Sequence, residues 1–450
     1  MMSLPRLALA VSGSGLEPSA ASLGLLAGLH SLGWRLQHFR SRACPIGTEA
    51  ILQATGRPGR HLDAWLMPDD VCRGVFARGA DRSQLAIVEG TLDRPASGDE
   101  AGCGRPGGLG PLSRSLDLPI ISVIDCPRWD RLHLPKLPPE MDAVLLDGLE
   151  DASDYAKIAS AVSTITRKPV VGAIEALPEA RRILQEAPRN RPLPDGVHGP
   201  FSASFLRFAD LPLLRSLANS RPFPGERLAI NTSERARFRV AYALDEAFGR
   251  YFPDTLETLE ALGAELIEFS PLRSEALPES ADLVMIGCGF PDEHADALGA
   301  NFSLINALRS HVYRGRRIYS EGGGTAYLGR SMRIDGREVP GVGILPFDAE
   351  RRANPTSPYP VTRTLREDTW LAPRGTVVRG YHSGRWDLKP TSELCHQAAG
   401  FGALSDENDF FHHHHAVGGL IHLHLAALPQ VVEAFAGPHR PSLTLRRPGR

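Results

Sequence analysis

The sequence predicts an α/β protein with two open, mostly parallel sheets flanked by helices. Two observations carry this. Short runs that are apolar on both faces alternate with amphipathic segments, and the alternation stops at a Pro/Gly-rich stretch before starting again. Strands buried on both sides and separated by helices belong in a parallel sheet with helices on each face. The 450-residue length fits two domains. They are placed at 1–225 and 236–436, with a tail at 437–450.

In the first half, Leu7–Val11 reads as a strand that enters a glycine turn, and Ala20–Leu32 has helical spacing. Leu85–Glu89, Ile120–Asp125, Ala143–Asp147 and Pro169–Ile174 are further buried strands. Residues 95–111 and 186–200 read as loops. The linker Ser220–Thr232 carries Pro222, Pro224 and Gly225, and the pattern restarts with a strand at Arg239–Leu244. A helix at Pro253–Leu262, closed by Gly263, leads to strands at Ala264–Phe269 and Asp282–Ile286. A helix at 301–314 precedes a strand at Arg317–Ser320. After Gly341 the chain reads as β-rich up to a last helix, Leu428–Phe435.

Composition narrows the function classes. Apolar residues make up 42%, charged residues 23%, and the net charge is −2, which fits a globular chain and gives no basic surface for nucleic acid. No apolar run approaches the roughly 20 residues of a membrane helix. The six cysteines, Cys44, Cys72, Cys103, Cys126, Cys288 and Cys395, form no CxxC pair and read as reduced thiols of a cytoplasmic protein.

Four ordered blocks in the second half carry a resemblance. They are VAYALDEAFGRYF from Val240, GCGFPDEHADAL from Gly287, IYSEGGGTAYL from Ile318 and LIHLHLAALPQ from Leu420. In the first half, TGRPGRHLDAWLM from Thr55, the IVEG of a Walker-B-like strand and LDLPIISVID add to it. Together they resemble the cobyrinate a,c-diamide synthases. That resemblance implies a dethiobiotin-synthetase-like, P-loop-like ATPase domain followed by a class I glutamine amidotransferase domain. It also implies Mg·ATP as cofactor, a corrin-type tetrapyrrole carboxylate as substrate and self-association into a homodimer.

The departures fall on the chemistry. The phosphate loop reads SGSGLEPSA from Ser12. It keeps Gly13, Gly15 and Ser19 but puts Pro18 where the lysine belongs and Glu17 where a glycine usually stands. Pro18 removes a cation and a backbone donor, and Glu17 repels a triphosphate. Glu89 holds the Walker-B-like position and Asp63 is kept, while Cys44 and Gly47 replace acidic residues of the family. Arg40 and Arg42 remain as candidate contacts for substrate carboxylates. In the amidotransferase half, the family's E-C-G-G elbow reads Glu321-Gly322-Gly323-Gly324, so a glycine stands at the nucleophile. His422 matches the catalytic histidine and His424 the second histidine of that segment. Cys288 in the GCGF turn is expected to be buried and inert, since a thiol there would attack from the side that stabilises the oxyanion. The family's Glu-x-His pair is also changed. Here the stretch from Arg379 supplies His382 and Arg385 without the glutamate.

Six histidines lie within thirteen positions, His412–His415, His422 and His424. Two readings stay open: a metal or metallotetrapyrrole contact using His412, His414 and His424, or a polar loop entering a strand. As a strand, His412 and His414 would share one face.

Three functions follow. The first is a catalytically deficient family member, a pseudoenzyme, that binds a tetrapyrrole or a paralogous active subunit as carrier, scaffold or regulator. The second is an amidoligase working with ATP and free ammonia, and the third is unrelated chemistry at the histidine cluster. Simultaneous loss of the loop lysine, the acidic segment and the nucleophile favours the first.

Overall fold

Residues 4–11, 19–44, 48–92, 106–126, 140–187, 191–225, 238–391, 401–403 and 409–437 are described by the structure, a computed structural model. Contacts divide the chain into two units, Met1–Ala229 and Ile230–Arg450.

The first unit is one parallel sheet of β1 (Arg6–Ala10), β2 (Leu36–Arg40), β3 (Arg60–His61), β4 (Leu85–Gly90), β5 (Ile120–Asp125), β6 (Ala143–Leu149) and β7 (Val170–Glu175). The order is β3-β2-β4-β1-β5-β6-β7. Every residue of β1 and β4 is buried, so the runs apolar on both faces are the central strands. β2 escapes the periodicity reading because LQHFR mixes polar and apolar residues, yet all five are buried. Its polar groups have partners, as burial requires. Gln37 Nε2 donates to the carbonyls of His38 (3.1 Å) and Pro58 (3.0 Å).

Two expected loops are partly helical. The helix Leu109–Ser115 starts inside 95–111, and His198–Phe208 starts inside 186–200. That second helix packs on Ala20–Ser31, whose glycines open the way. A Cβ on Gly24 would lie 3.0 Å from the Phe201 carbonyl oxygen, and one on Gly28 2.7 Å from the Phe205 ring. Such distances leave no room for a side chain, so the small residues decide how closely the helices approach.

The second unit runs β8 (Phe238–Ala243), β9 (Phe248–Arg250), β10 (Ala264–Phe269), β11 (Leu283–Ile286), β12 (Cys288–Gly289) and β13 (Arg317–Glu321). The β-rich part follows as β14 (Ser331–Ile334), β15 (Arg337–Pro340), β16 (Phe347–Arg351), β17 (Tyr359–Thr364), β18 (Val377–His382) and β19 (Trp386–Pro390). It ends with β20 (Phe401–Ala403), β21 (Phe410–His413), β22 (Ala416–Gly419) and β23 (Ile421–His422). The main sheet has the order β10-β8-β11-β13-β22-β21-β20, parallel from β10 to β22 and antiparallel beyond. Two features matter for function. β13 lies inside this sheet between β11 and β22, and β23 joins β17 and β18 in a separate small sheet.

Arg6 anchors the start of β1. Its buried guanidinium donates to the carbonyls of Leu116 (2.8 Å), Leu4 (3.2 Å), Arg221 (3.1 Å), Asp117 (3.0 Å) and Pro222 (2.9 Å). Replacing it with an apolar chain leaves buried carbonyls without a charged donor. Arg6→Met is therefore expected to lower the stability of the first unit by about 3 kcal/mol. Urea-dependent hydrogen exchange of the β1 and β4 peptides measures this. An unchanged midpoint would show that the five bonds contribute nothing net.

Candidate functional site

β13 ends at Glu321, and Gly322 turns the chain into the helix Gly323–Leu328. Gly322 has φ 54° and ψ −120°, a conformation that glycine adopts freely and other residues adopt only under strain. The strand-to-helix elbow is therefore formed, but it presents no side chain. A Cβ built there would lie 2.9 Å from His422 Cε1 and 3.2 Å from Cys288 Sγ. The imidazole and the thiol thus stand close against the face of Gly322.

Three chain segments meet at this point. Cys288 comes from β12, Glu321 from the end of β13 and His422 from β23. Cys288 Sγ lies directly against His422 Nδ1, 3.3 Å from His422 Nε2 and 3.9 Å from Glu321 Oε2. Glu321 Oε2 is 3.6 Å from His422 Nδ1. The other carboxylate oxygen is fixed: Oε1 accepts from the Tyr319 hydroxyl (2.5 Å) and the Leu423 N–H (3.2 Å). Burial beside Glu321 pushes the Tyr319 hydroxyl well above the usual phenol range, so it stays a donor. Cys288 is buried, and its thiol faces an imidazole and a carboxylate. Tyr319 was not singled out from the sequence. The signal was there, since a residue two before Glu321 on a strand shares its face.

The remaining candidates of this unit scatter. His382 ends β18, its Nδ1 accepting from the Gly384 N–H (3.0 Å) and its ring stacked on Tyr359 at 4.8 Å. Burial pushes its imidazole down to about 4, against the opposing charge of Asp409, so it is neutral. Arg385 is engaged: it ion-pairs with buried Asp292 (2.5 Å) and lies over the Phe290 ring. It thereby holds the chain after the GCGF turn instead of standing ready for a ligand.

The histidine run departs from the alternating-strand expectation. β21 stops at His413, and His414 sits exposed in a turn with φ 50°. His412 Nε2 pairs with Glu367 (2.8 Å), His413 Nδ1 donates to the Ile344 carbonyl (2.8 Å), and buried His424 packs on Phe252 at 4.7 Å. His412, His414 and His424 are thus not brought together. Among the described residues, the group whose donors fall within 4.8 Å of one another is Cys288, Glu321 and His422.

In the first unit Gly13 and Gly15, with Glu17 and Pro18, lie outside the described residues. Ser19 caps the helix Ala20–Ser31 by accepting from the Ser22 N–H. Glu89, on β4, accepts at Oε1 from the Ser19 N–H (3.0 Å) and hydroxyl (2.9 Å) and at Oε2 from His38 Nε2 (3.0 Å). Burial pushes its carboxyl up, but bonding and charge from His38, with Arg40 and the Ser19 amide, hold it at about 2. His38 carried no signal in the sequence. Arg40 pairs in register with Glu89 at the end of β2, and Arg42 follows it with its stem against Gly107. Asp63 accepts from the N–H groups of Trp65 (2.9 Å), Ala43 (3.4 Å) and Gly107 (3.4 Å), which makes it a loop anchor.

Comparison with known proteins agrees with this layout. Residues 239–429 match the CobB/CobQ-like glutamine amidotransferase domain. The chain is 28% identical to the cobyrinate a,c-diamide synthase of Syntrophotalea carbinolica, covering 96% of this chain and 98% of that one. It is 26% identical to that of Dehalococcoides mccartyi (96% and 98%) and 25% identical to that of Salmonella typhimurium (96% and 97%).

Two predictions follow from the geometry. Gly322→Cys must seat a Cβ against His422 and Cys288 at positive φ, so it is expected to destabilise by about 1–3 kcal/mol. Adding Cys288→Ala should return about 1 kcal/mol of that, measured by a double-mutant cycle in thermal unfolding. Strict additivity would mean the thiol does not fill that space. For Glu89, the folded carboxyl lies below its ordinary value of 4.5. Its contribution to stability is present above that value and is lost as pH falls towards about 2. Glu89→Gln should therefore flatten the acid limb of the stability profile, read from urea midpoints at about pH 6 and about pH 3.

Proposed function

Since this chain belongs to the cobyrinate a,c-diamide synthase family, we propose that it keeps the family's tetrapyrrole-binding scaffold without glutamine hydrolysis. It acts as a carrier, scaffold or regulatory subunit beside an amidating enzyme. The observation that carries this reading is Gly322: the elbow has its backbone conformation but no atom to attack an amide. Hydrolysis of glutamine by this route needs a thiolate at that point, activated by a histidine and facing backbone oxyanion donors. His422 instead shares its ring nitrogens with Cys288 and Glu321.

The first unit supports the same reading. Magnesium-bound ATP does not fit the residues present. Glu89, which would face the metal, has one oxygen on Ser19 and the other on His38. Pro18 offers neither a cation nor an N–H, and Glu17 adds a repelling charge. Arg40 ends β2 and Arg42 follows it, at the edge where open parallel sheets bind their ligands. Guanidinium groups suit the carboxylates of a tetrapyrrole acid.

The purified chain should release no ammonia from glutamine above the uncatalysed rate, and Gly322→Cys alone should not restore release. It should give no heat with Mg·ATP, yet shift the visible bands of a cobyrinic-acid-type tetrapyrrole. Arg42→Ala should weaken that binding about tenfold, or about 1.4 kcal/mol. ATP turnover dependent on ammonia and the tetrapyrrole would overturn this reading in favour of an ammonia-using amidoligase.

A further inference from the structure

The geometry points to a transition-metal site formed by Cys288, Glu321 and His422, suited to zinc(II), in the place of the missing nucleophile. A thiolate, an imidazole and a carboxylate are each ligands of zinc, and three protein ligands leave a fourth position open. With metal–ligand bonds of about 2.0–2.3 Å in tetrahedral arrangement, ligand atoms stand roughly 3.3–3.8 Å apart. Here Oε2 is 3.6 Å from Nδ1 and 3.9 Å from Sγ, while Sγ lies directly against Nδ1, so an ion held through that nitrogen needs the thiol to draw back from the ring. A carboxylate oxygen 3.6 Å from an imidazole nitrogen makes no hydrogen bond with it. That spacing matches two groups with an ion between them. An ion inserted there replaces the direct contact of Sγ with Nδ1.

The second observation is the orientation of Glu321. Tyr319 and Leu423 both bond Oε1, which leaves Oε2 turned to the cysteine and the histidine. Ligating carboxylates are held in this way by outer hydrogen bonds. Glu321 also lines a small hollow with Tyr251, Thr255, Met285, Gly287 and Tyr319. Binding takes the proton from Sγ, since only the thiolate ligates, and releases it to solvent.

A thiol catalyst relocated to position 288 explains less. It accounts for the contact with His422, but it gives no reason for Glu321 to be fixed with one oxygen towards both partners. The metal inference shares Gly322 with the proposed function but rests on side-chain geometry. Failure of one would leave the other standing: tetrapyrrole binding and ion binding are read separately.

The test is titration of the full chain, stripped with a chelator, with cobalt(II) as a spectroscopic substitute and zinc(II) as competitor. One ion per chain should appear with a thiolate-to-cobalt absorption in the near ultraviolet, which zinc abolishes. That band distinguishes the site from binding at His412–His415, which offers no sulfur. Cys288→Ser should remove the band, and Glu321→Gln and His422→Ala should weaken binding. Tyr319→Phe, which frees the carboxylate, should weaken it about 10- to 100-fold. An unchanged band in Cys288→Ser, or no sulfur-ligated ion at all, overturns the site. So does labelling of Cys288 in the metal-free chain by a glutamine-analogue electrophile such as 6-diazo-5-oxo-norleucine. Should Cys288→Ser fail to fold, peptide mapping after iodoacetamide decides on the unaltered chain. Zinc protection of Cys288 supports the site, and equal labelling with and without zinc overturns it.

Discussion

Backbone against backbone is the contact on which the second unit's site depends. A Cβ on Gly323 would lie 2.5 Å from the Gly289 carbonyl oxygen, and one on Gly324 2.2 Å from that of Ile286. Gly289 in turn presses on the Ala247 carbonyl, where a Cβ would meet oxygen at 1.9 Å. The turn at 245–247, the turn at 286–289 and the helix Gly323–Leu328 are thus layered without side chains between them. Glycine is required at these levels for want of space. The layering sets the distance between Cys288 and the elbow, and none of it involves the side chain that position 322 lacks. The elbow conformation therefore forms with a glycine at position 322.

The other wall of the site is delivered by a different device. His422 sits on a two-residue strand paired with β18, opposite Tyr381. Gly380, in the Arg379-Gly380 step, lets the two chains close up, since a Cβ there would lie 2.3 Å from the His422 carbonyl oxygen. Glu321 is held from β13 by Tyr319, on the same strand face, and by the amide that follows His422. One strand end, one turn and one added strand each supply a single donor. Their convergence is a consequence of topology, and local sequence does not encode it.

That explains what the sequence disclosed and what it withheld. Runs apolar on both faces gave β1, β4, β5, β6 and β7 to within a residue or two, because their burial needs no partner beyond the sheet. β2 stayed hidden because its burial depends on specific bonds, His38 to Glu89 and Gln37 to two carbonyls. At the site, motif order located Gly322 and His422. Cys288 and His422 are 134 positions apart, and no periodicity signals that they touch. The alternating-face reading of His412–His415 failed for a local reason: the strand ends at His413, and His414 takes a left-handed turn conformation.

Side chains crowd the open face of Gly322. A Cβ at 322 would lie 2.9 Å from the His422 ring and 3.2 Å from the Cys288 thiol, so polar groups crowd that face of the elbow. Polar atoms brought this close, with a carboxylate oxygen facing both, cost free energy to desolvate unless something satisfies them. A shared proton between thiol and imidazole does this for two of the three. A cation does it for all three, and it uses the orientation that Tyr319 and Leu423 already impose on Glu321. The same arrangement works against reversion. A cysteine at 322 would need His422 and Cys288 to withdraw together, and His422 is held by its pairing to β18. The backbone gives the elbow its form, while Cys288, Glu321 and His422 close around it.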